Sequence, residues 1–263
     1  MNSILVEDLT VRPATIEDIT ILYGLTQAYD YAQYGEPDFT LADVRGLLSG
    51  PRMNLTEDSL LAFDKTGQLV GVLILEHARY AKFFAMVRIL PGYEDPQLEN
   101  FFFNYAERWA YERMSQAEPG VRVTLATWAT ARDLAARRTI EEAGFKEIRR
   151  FWRMEIEMSE APQTPQWPEG VELRPFILER DAHAVFEAIE AAFSDHWGFV
   201  AHQFDEWQHW AIKRESFDPS FWFIAYEGDQ IVGASLCVNE DTLGWVDTLG
   251  VLRPWRRKGL GQT

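Results

Sequence analysis

Two short segments of this 263-residue chain recur at the same separation. Val11-Arg12-Pro13 is followed 162 positions later by Leu173-Arg174-Pro175, and Gln68-Leu69-Val70-Gly71 by Gln230-Ile231-Val232-Gly233. The apolar segments around Val87 and Leu249 keep that offset with less residue identity. One offset over such a length indicates an internal duplication, which predicts two consecutive domains of the same fold.

The boundary between the two copies is predicted in the segment Ser159–Gly170. Pro162, Pro165 and Pro168 lie in this stretch of twelve residues, which has few apolar side chains. Such a composition is typical of a stiff, extended linker. We therefore expect domains at 1–158 and 171–263, joined by residues 159–170.

The first copy alternates helical and strand patterns, which favours a mixed α/β fold (an α+β mixed sheet). Three helices are predicted after the opening strand: one that ends near Tyr34, then Leu41–Leu48, then Gln97–Met114, with a fourth at Leu134–Ala143. The predicted strands are Leu9–Pro13, the hairpin pair 59–63 and 68–75, Phe83–Leu90, Arg122–Trp128 and Glu147–Met158.

Composition excludes several classes of function. No run of eighteen apolar residues is present, and Met1–Thr10 lacks a basic region followed by an apolar one, so we expect neither a membrane segment nor a signal peptide. A net charge of −16 disfavours nucleic acid and anionic membranes as partners. The single cysteine suits a reducing, cytoplasmic location. His202 and His209 have no third ligand in the sequence pattern, so no metal site is predicted.

The last twenty residues contain the most specific pattern. An apolar strand pattern ends at Pro254, and Arg256-Arg257-Lys258-Gly259-Leu260-Gly261 follows. Residues 253–263 contain four basic side chains and no acidic one, whereas 170–252 contain four basic and fifteen acidic. Glycines let successive backbone N–H groups point into one concavity, so the loop suits phosphate binding. The alternative is a basic, glycine-containing surface turn.

The six residues 256–261 resemble the R/Q-x-x-G-x-G/A signature of the GNAT superfamily of acyl-CoA N-acyltransferases. The preceding strand, the entry Arg253-Pro254-Trp255 and the segment Ala143-Gly144-Phe145 resemble the family as well. The whole chain is then similar to two tandem GNAT-like domains, the second incomplete, as in mycothiol-synthase-like two-domain members.

This resemblance implies transfer of an acetyl group from acetyl-CoA to an amine. The pyrophosphate is expected on the backbone N–H groups of residues 256–261, and the pantetheine beside the preceding strand. The implied cofactor-binding residues are Leu249, Gly250, Val251, Arg256, Arg257, Lys258, Gly259, Leu260, Gly261 and Gln262.

Two residues are candidates for the base that removes a proton from the amine. Asp247 alternates with Leu249 and Val251 along one strand face; its alternatives are a partner for a buried donor or an edge position. His196, in Phe193-Ser194-Asp195-His196-Trp197-Gly198, lies where the family's acceptor-binding loop falls; its alternative is a hydrogen-bonded loop histidine. The many acidic side chains favour a small cationic acceptor.

The first copy lacks the phosphate loop. A shift of 162 places Glu94, Asp95, Gln97 and Glu99 at the positions of 256, 257, 259 and 261, and a shift of 163 places Tyr93, Glu94, Pro96 and Leu98 there. Carboxylates repel a pyrophosphate, so a degenerate acyl-CoA site is predicted in the first domain. The rival function for the whole chain is a non-catalytic acyl-CoA-binding sensor or scaffold.

The duplication also predicts that a complete second copy extends to about residue 320. We therefore expect a truncated second domain, with the family's general acid beyond Thr263 and a second chain as the alternative source of the missing elements. The oligomeric state and the identity of the acceptor are left open.

Overall fold

The computed structural model describes residues 4–6, 8–93, 96–240 and 243–262. The chain divides into two compact units, Met1–Arg149 and Arg150–Thr263. Each unit contains one sheet with helices, which confirms the predicted mixed α/β class. None of the helices in the described ranges is long and apolar enough to cross a membrane.

Unit 1 contains a six-stranded sheet in the order β1-β2-β3-β4-β5-β6. All neighbours are antiparallel except β5 and β6, which are parallel. The strands are β1 Ile4–Val6, β2 Leu9–Arg12, β3 Ser59–Phe63, β4 Leu69–Ala78, β5 Lys82–Ile89 and β6 Thr124–Ala126. The helices are α1 Ile19–Tyr34, α2 Leu41–Leu48, α3 Leu55–Asp58, α4 Pro96–Arg113 and α5 Leu134–Glu142.

Both faces of this sheet are buried, since consecutive side chains of β4 point to opposite faces and pack into two clusters. Leu73 and Leu75 pack with Phe102 of α4 on one face, whereas Val72 and Ile74 pack with Leu22 of α1 on the other. This double burial explains why β4 is a nearly continuous apolar run without polar alternation.

Unit 2 contains a four-stranded antiparallel sheet in the order β10-β9-β8-β7. The strands are β7 Val171–Pro175, β8 Trp222–Glu227, β9 Gln230–Glu240 and β10 Leu243–Val251, and the helices are α6 Leu178–Phe193 and α7 Phe204–Ala211. Val185 and Ile189 of α6 pack on Ile224 of β8, which forms the main core of this unit. β10 is an edge strand, and its Val246 and Leu249 are exposed.

The duplication predicted from the sequence is visible in packing. A Cβ atom added at Gly71 would lie 2.8 Å from Leu98 Cδ2 and 3.1 Å from Ile89 Cδ1. At Gly233, 162 residues later, it would lie 3.3 Å from Leu260 Cδ2 and 3.6 Å from Val251 Cγ2. Leu260 and Val251 follow Leu98 and Ile89 by the same 162 residues. The two units therefore correspond residue by residue at one sequence offset. Of the two offsets considered for the loop, this contact favours 162 over 163.

Two strand predictions differ from the structure. The strand predicted at Arg122–Trp128 is shortened to β6, and the strand predicted at Glu147–Met158 is wrong, because residues 146–158 lie in no strand. Trp152, Met154 and Ile156 have the alternating apolar pattern of a strand, yet each is more than three-quarters exposed. A strand pattern produces a strand only where a partner supplies the ladder, and among the described residues neither sheet has a strand that pairs with this segment.

Substituting Gly71 with Ala tests the close packing at the duplicated glycine. The added methyl overlaps Leu98 of α4, so we expect Gly71→Ala to lower the free energy of unfolding by about 1–3 kcal/mol. Gly24→Ala is the control, because that α1 glycine has open space around it and alanine favours a helix by about 0.5–1 kcal/mol. Urea denaturation measures both; an unchanged stability of Gly71→Ala would contradict the packing.

Candidate functional site

The glycine-containing basic loop of unit 2 follows β10 directly. Leu252 N–H still donates to Val232 O of β9 at 2.9 Å, and a single 3-10 turn at Arg253–Trp255 then redirects the chain. Arg257 and Gly259 have φ angles of 62° and 91°, in the left-handed region. Arg256, which precedes them, is extended with φ −64° and ψ 152°, so the chain turns sharply at residues 256–259.

The backbone of this loop has unused donors. Among the described residues, the N–H groups of Arg257, Lys258 and Gly259 donate to no acceptor of the protein. The side chains of Arg257 and Lys258 are exposed, and the Lys258 ammonium lies 5.7 Å from the centre of the Trp255 ring. The loop therefore combines several free N–H groups with two positive charges, and these groups fit a pyrophosphate.

Arg256 attaches the loop to the end of α6. Its guanidinium donates to both Asp195 carboxylate oxygens, at 2.7 and 2.9 Å, to Ala192 O at 2.6 Å and to Val251 O at 3.0 Å. Arg253 Nε donates to the same carboxylate at 2.9 Å. These two guanidinium groups hold the pKa of Asp195 well below its usual range. The Arg256 side chain is thus committed to protein acceptors, and its backbone N–H donates to Arg253 O at 3.2 Å, so the donors that remain in the loop lie after Arg256.

Packing fixes the rest of the loop. Leu260 is buried and packs with Val232 and Val251, which closes the loop onto the sheet. Gly261 is exposed, and a Cβ atom there would meet only Val251 at an ordinary 3.9 Å. The side chain of Gln262 lies outside the described residues.

The strand residues predicted to bind the cofactor fall into two groups. Gly250 faces α6, where an added Cβ atom would lie 3.1 Å from Ala192 and 3.2 Å from Ile189, so helix packing requires this glycine. Leu249 is half-exposed at the sheet edge, and Val251 packs beneath the loop. Because β10 is an edge strand, every second backbone N–H along it is available for pairing with a ligand.

Asp247 lies at a β-bulge. Val246 pairs with Cys237 and Thr248 with Leu236, so Asp247 has no residue opposite it. The bulge interrupts the strict alternation that the sequence predicts for Asp247, Leu249 and Val251. The Asp247 carboxylate is exposed and lies 3.6 Å from Arg214 Nη1. An exposed carboxylate does not need a buried donor as its partner.

His196 lies in the turn that follows α6. Its backbone N–H donates to Phe193 O at 2.7 Å, its carbonyl accepts from Phe199, and its exposed ring lies 5.7 Å from the Phe193 ring. Among the described residues, no hydrogen bond or ion pair joins His196 to Asp247. The two candidate bases are therefore separate alternatives rather than a coupled pair.

The sequence pattern does not reveal the roles of Asp195 and Arg214. Asp195 contacts Arg253 and Arg256 and so positions the loop. The sequence shows a carboxylate just after an amphipathic helix and two arginines about sixty residues later. These features do not predict that the carboxylate and the arginines form ion pairs, because only the fold brings them together.

Unit 1 has a different arrangement at the matching position. Leu98 packs on Gly71 as Leu260 packs on Gly233, so Glu99 occupies the place of Gly261. Glu99 is buried at the start of α4. Glu94 and Asp95, the other predicted carboxylates, lie outside the described residues. Among the described residues of the chain, no group of three His, Cys, Asp or Glu side chains is arranged to bind a metal.

Part of the chain, including the basic loop, is similar in sequence to known proteins. Residues 182–263 match the model of the acetyltransferase (GNAT) family. The chain is similar to a mycothiol acetyltransferase of Thermobispora bispora, with 30% identity over 154 residues that cover 54% of this chain and 49% of that protein. The chain thus spans about half the length of this curated relative.

Solved structures extend the similarity to the whole chain. A GCN5-related N-acetyltransferase from Sphaerobacter thermophilus is 27% identical, with a TM-score of 0.79 over 98% of this chain and 80% of that one. A GCN5-related glucosamine N-acetyltransferase region of a fungal multi-domain GH3 beta-N-acetylglucosaminidase shares the fold at 13% identity, with a TM-score of 0.58 over 99% of this chain and 33% of that one.

The chain therefore has the fold of the GNAT N-acetyltransferases. Residues 182–263, which contain the basic loop, match the model of the acetyltransferase (GNAT) family. The expected fold of two tandem GNAT-like units is confirmed.

Replacing Asp195 with Asn tests the contact that positions the loop. Asp195 has a depressed pKa in the folded state, so its ion pairs contribute fully above the unfolded-state value of about 3.9. This contribution is lost as pH falls through the folded pKa. We expect the wild type to be more stable than Asp195→Asn at neutral pH, and the difference to shrink as pH falls below about 4.

Urea denaturation of both proteins across this pH range measures the effect. Glu157→Gln is the control, since Glu157 is an exposed carboxylate with no ion pair among the described residues. A difference between wild type and Asp195→Asn that did not vary with pH would contradict the assignment.

Proposed function

We propose that this chain transfers an acyl group from acyl-CoA, most simply acetyl-CoA, to the amine of a small cationic acceptor. The observation that carries the proposal is the loop of unit 2, in which three backbone N–H groups, those of Arg257, Lys258 and Gly259, have no acceptor among the described residues. The family match of residues 182–263 supports the same donor class. The single cysteine is consistent with a cytoplasmic location, which is part of the proposal.

The loop holds the donor through its backbone. The N–H groups of Arg257, Lys258 and Gly259 bind the pyrophosphate, and the exposed charges of Arg257 and Lys258 add attraction. Arg256 holds the loop in place by its bonds to Asp195 and Ala192. The edge of β10, near Leu249 and Val251, presents backbone groups to the pantetheine and one N–H to the thioester carbonyl, where it stabilises developing negative charge.

The chemical step needs a base. The acceptor is protonated at neutral pH, so it must lose a proton before its nitrogen attacks the thioester carbon. Asp247 is the first candidate, because the bulge separates it from the ladder and its carboxylate is exposed, 3.6 Å from Arg214 Nη1. The new C–N bond replaces the C–S bond, and the leaving thiolate becomes coenzyme A by taking up the proton that the attacking nitrogen loses as the amide forms. His196 is the second candidate.

The acidic surface supports a cationic acceptor. Residues 170–252 contain fifteen acidic and four basic side chains, and the basic loop is the local exception. A positively charged amine is attracted to such a surface, whereas the anionic donor is attracted to the loop. The two substrates are thus directed to different parts of unit 2.

Gly261→Glu tests the donor site. The backbone of Gly261 is not left-handed and its surroundings are open, so the substitution adds a negative charge without steric strain. We expect one coenzyme A per wild-type chain by calorimetry, and an affinity lower on the order of a hundredfold in Gly261→Glu.

Gly244→Glu is the matched control. Gly244 lies in β10, has open space around it and receives the same charge, so its affinity should stay within about threefold of wild type. Two equivalent sites per chain, or an unaffected Gly261→Glu, would overturn the proposed donor site.

Release of thiol from acetyl-CoA in the presence of a panel of primary amines tests catalysis. We expect Asp247→Asn to lower kcat by about 10²–10⁴-fold with little change in coenzyme A affinity, because the base acts only in the chemical step. His196→Asn is the comparison. Loss of activity in His196→Asn alone would transfer the role to His196, and coenzyme A binding without thiol release with any amine would favour the non-catalytic sensor.

A further inference from the structure

Unit 1 contains a cavity of about 70 Å³ between two of its strands. β5 and β6 pair only over Lys82–Phe84 and Thr124–Ala126, and beyond these residues they share no ladder. Val87 and Ile89 of β5 line one side of the cavity, and Thr127 and Trp128, which follow β6, line the other. The cavity therefore occupies the gap that opens where the two parallel strands diverge.

This cavity lies at the duplicated position of the loop and strand that form the site in unit 2. Val87 and Ile89 precede Leu249 and Val251 by 162 residues, and Glu99, which also lines the cavity, precedes Gly261 by the same number. The packing of Leu98 on Gly71 fixes this register in space. A small glycine beside free N–H groups in unit 2 thus corresponds to a buried carboxylate in unit 1.

The charge of the cavity is opposite to that of the loop in unit 2. Glu99 is 6% exposed, and Asp133 supplies a second carboxylate from the start of α5. No lysine or arginine is among the described residues that line the cavity. A pyrophosphate or another anion placed here would be repelled at short range in a partly desolvated environment, whereas a cation would be attracted.

The two carboxylate oxygens of Asp133 differ in the length of the hydrogen bonds that they accept. Oδ1 accepts from Ala136 N at 2.9 Å and caps α5. Oδ2 accepts from Tyr29 Oη and from Gln33 Nε2, each at 3.3 Å, which is long for hydrogen bonds to a carboxylate. An ammonium group in the cavity gives Oδ2 a shorter, charge-assisted bond.

The aromatic lining suits the same ligand. Tyr29 and Phe103 are buried, Trp128 is partly exposed, and all three line the cavity. Ring faces attract ammonium groups, and this attraction is stronger where water is excluded. The Tyr29 ring already faces the buried Arg88 guanidinium at 5.3 Å, so the Phe103 and Trp128 rings supply this attraction. Burial raises the pKa of Tyr29, so its hydroxyl stays neutral beside Asp133.

We propose that the cavity between β5 and β6 binds a small protonated amine, so that unit 1 has exchanged the anion preference of its duplicate for a cation preference. A volume of about 70 Å³ admits an ammonium group with a short carbon chain. The site belongs to unit 1 alone and does not depend on the reaction proposed for unit 2.

An NMR titration of the ¹⁵N-labelled full chain tests this site. The probes are propylammonium, 1-propanol and propionate, which have similar size and differ in charge. We expect propylammonium at millimolar concentration to shift the Trp128 indole signal, assigned with Trp128→Phe, and the Ala136 amide. The neutral and anionic probes should leave both signals in place.

Two variants remove one charge each without changing shape. Asp133→Asn keeps a residue that caps α5, and Glu99→Gln changes α4 at a single buried position. Each should weaken propylammonium binding about tenfold or more. Glu107→Gln, an exposed change on the same helix, should have no effect.

Several results would overturn the proposal. Equal shifts with 1-propanol would show a merely apolar cavity, and an unchanged affinity in both Asp133→Asn and Glu99→Gln would remove the role of the carboxylates. If coenzyme A reversed the shifts that propylammonium causes in the Trp128 and Ala136 signals, the cavity would be assigned to the acyl donor instead. The Gly261→Glu variant should bind propylammonium as the wild type does. The amine-binding result can therefore be interpreted even if the proposed donor site in unit 2 is wrong.

Discussion

The ion pairs between Asp195 and the arginines of the following loop connect the two parts of unit 2 on which its chemistry depends. Arg256 contacts Asp195 and two backbone carbonyls, one at the end of α6 and one at the end of β10. The last carbonyls of a helix lack partners within the helix and carry partial negative charge, so a guanidinium satisfies them and interacts favourably with the dipole. A loop with several unsatisfied N–H groups is therefore attached at its base to two regular elements.

The duplicated units show how one scaffold supports opposite electrostatics. Gly71 and Gly233 receive Leu98 and Leu260 in the same way, which places the start of α4 and the basic loop in equivalent positions. One residue further on, unit 1 has the buried Glu99 and unit 2 has the exposed Gly261. Apolar packing preserves the fold, while the residue that faces the adjacent space determines which charge can enter it.

Sequence patterns predicted those parts of the structure that depend on local chemistry and on a buried face. The helix Leu41–Leu48 has the predicted bounds, because Thr40 caps it and Val44 and Leu48 face the core. The segment Glu147–Met158 has an equally regular pattern but lacks a strand to pair with among the described residues, and no local signal reports that. The signature at 256–261 located the loop, since its glycines and charges are adjacent in sequence.

The details of the site depended on contacts that a linear pattern does not contain. The Arg256 guanidinium contacts Asp195, sixty-one residues earlier, and no local pattern connects the two residues. The alternation of side chains along a strand predicts Asp247 and Leu249 on one face. The β-bulge between Val246 and Thr248 interrupts this alternation. The cavity of unit 1 combines α1, β5, α4 and α5, which only the folded chain brings together.

The central claim is that the backbone N–H groups of the loop bind the pyrophosphate of an acyl-CoA, and amide NMR of the labelled chain with inorganic pyrophosphate and then coenzyme A tests it most directly. Hydrogen bonds from these groups should shift the amide signals of Arg257, Lys258 and Gly259 with both ligands, while the amides of Leu98 and Glu99 in unit 1 stay in place. Loop amides that do not respond, or a response confined to unit 1, would contradict the account.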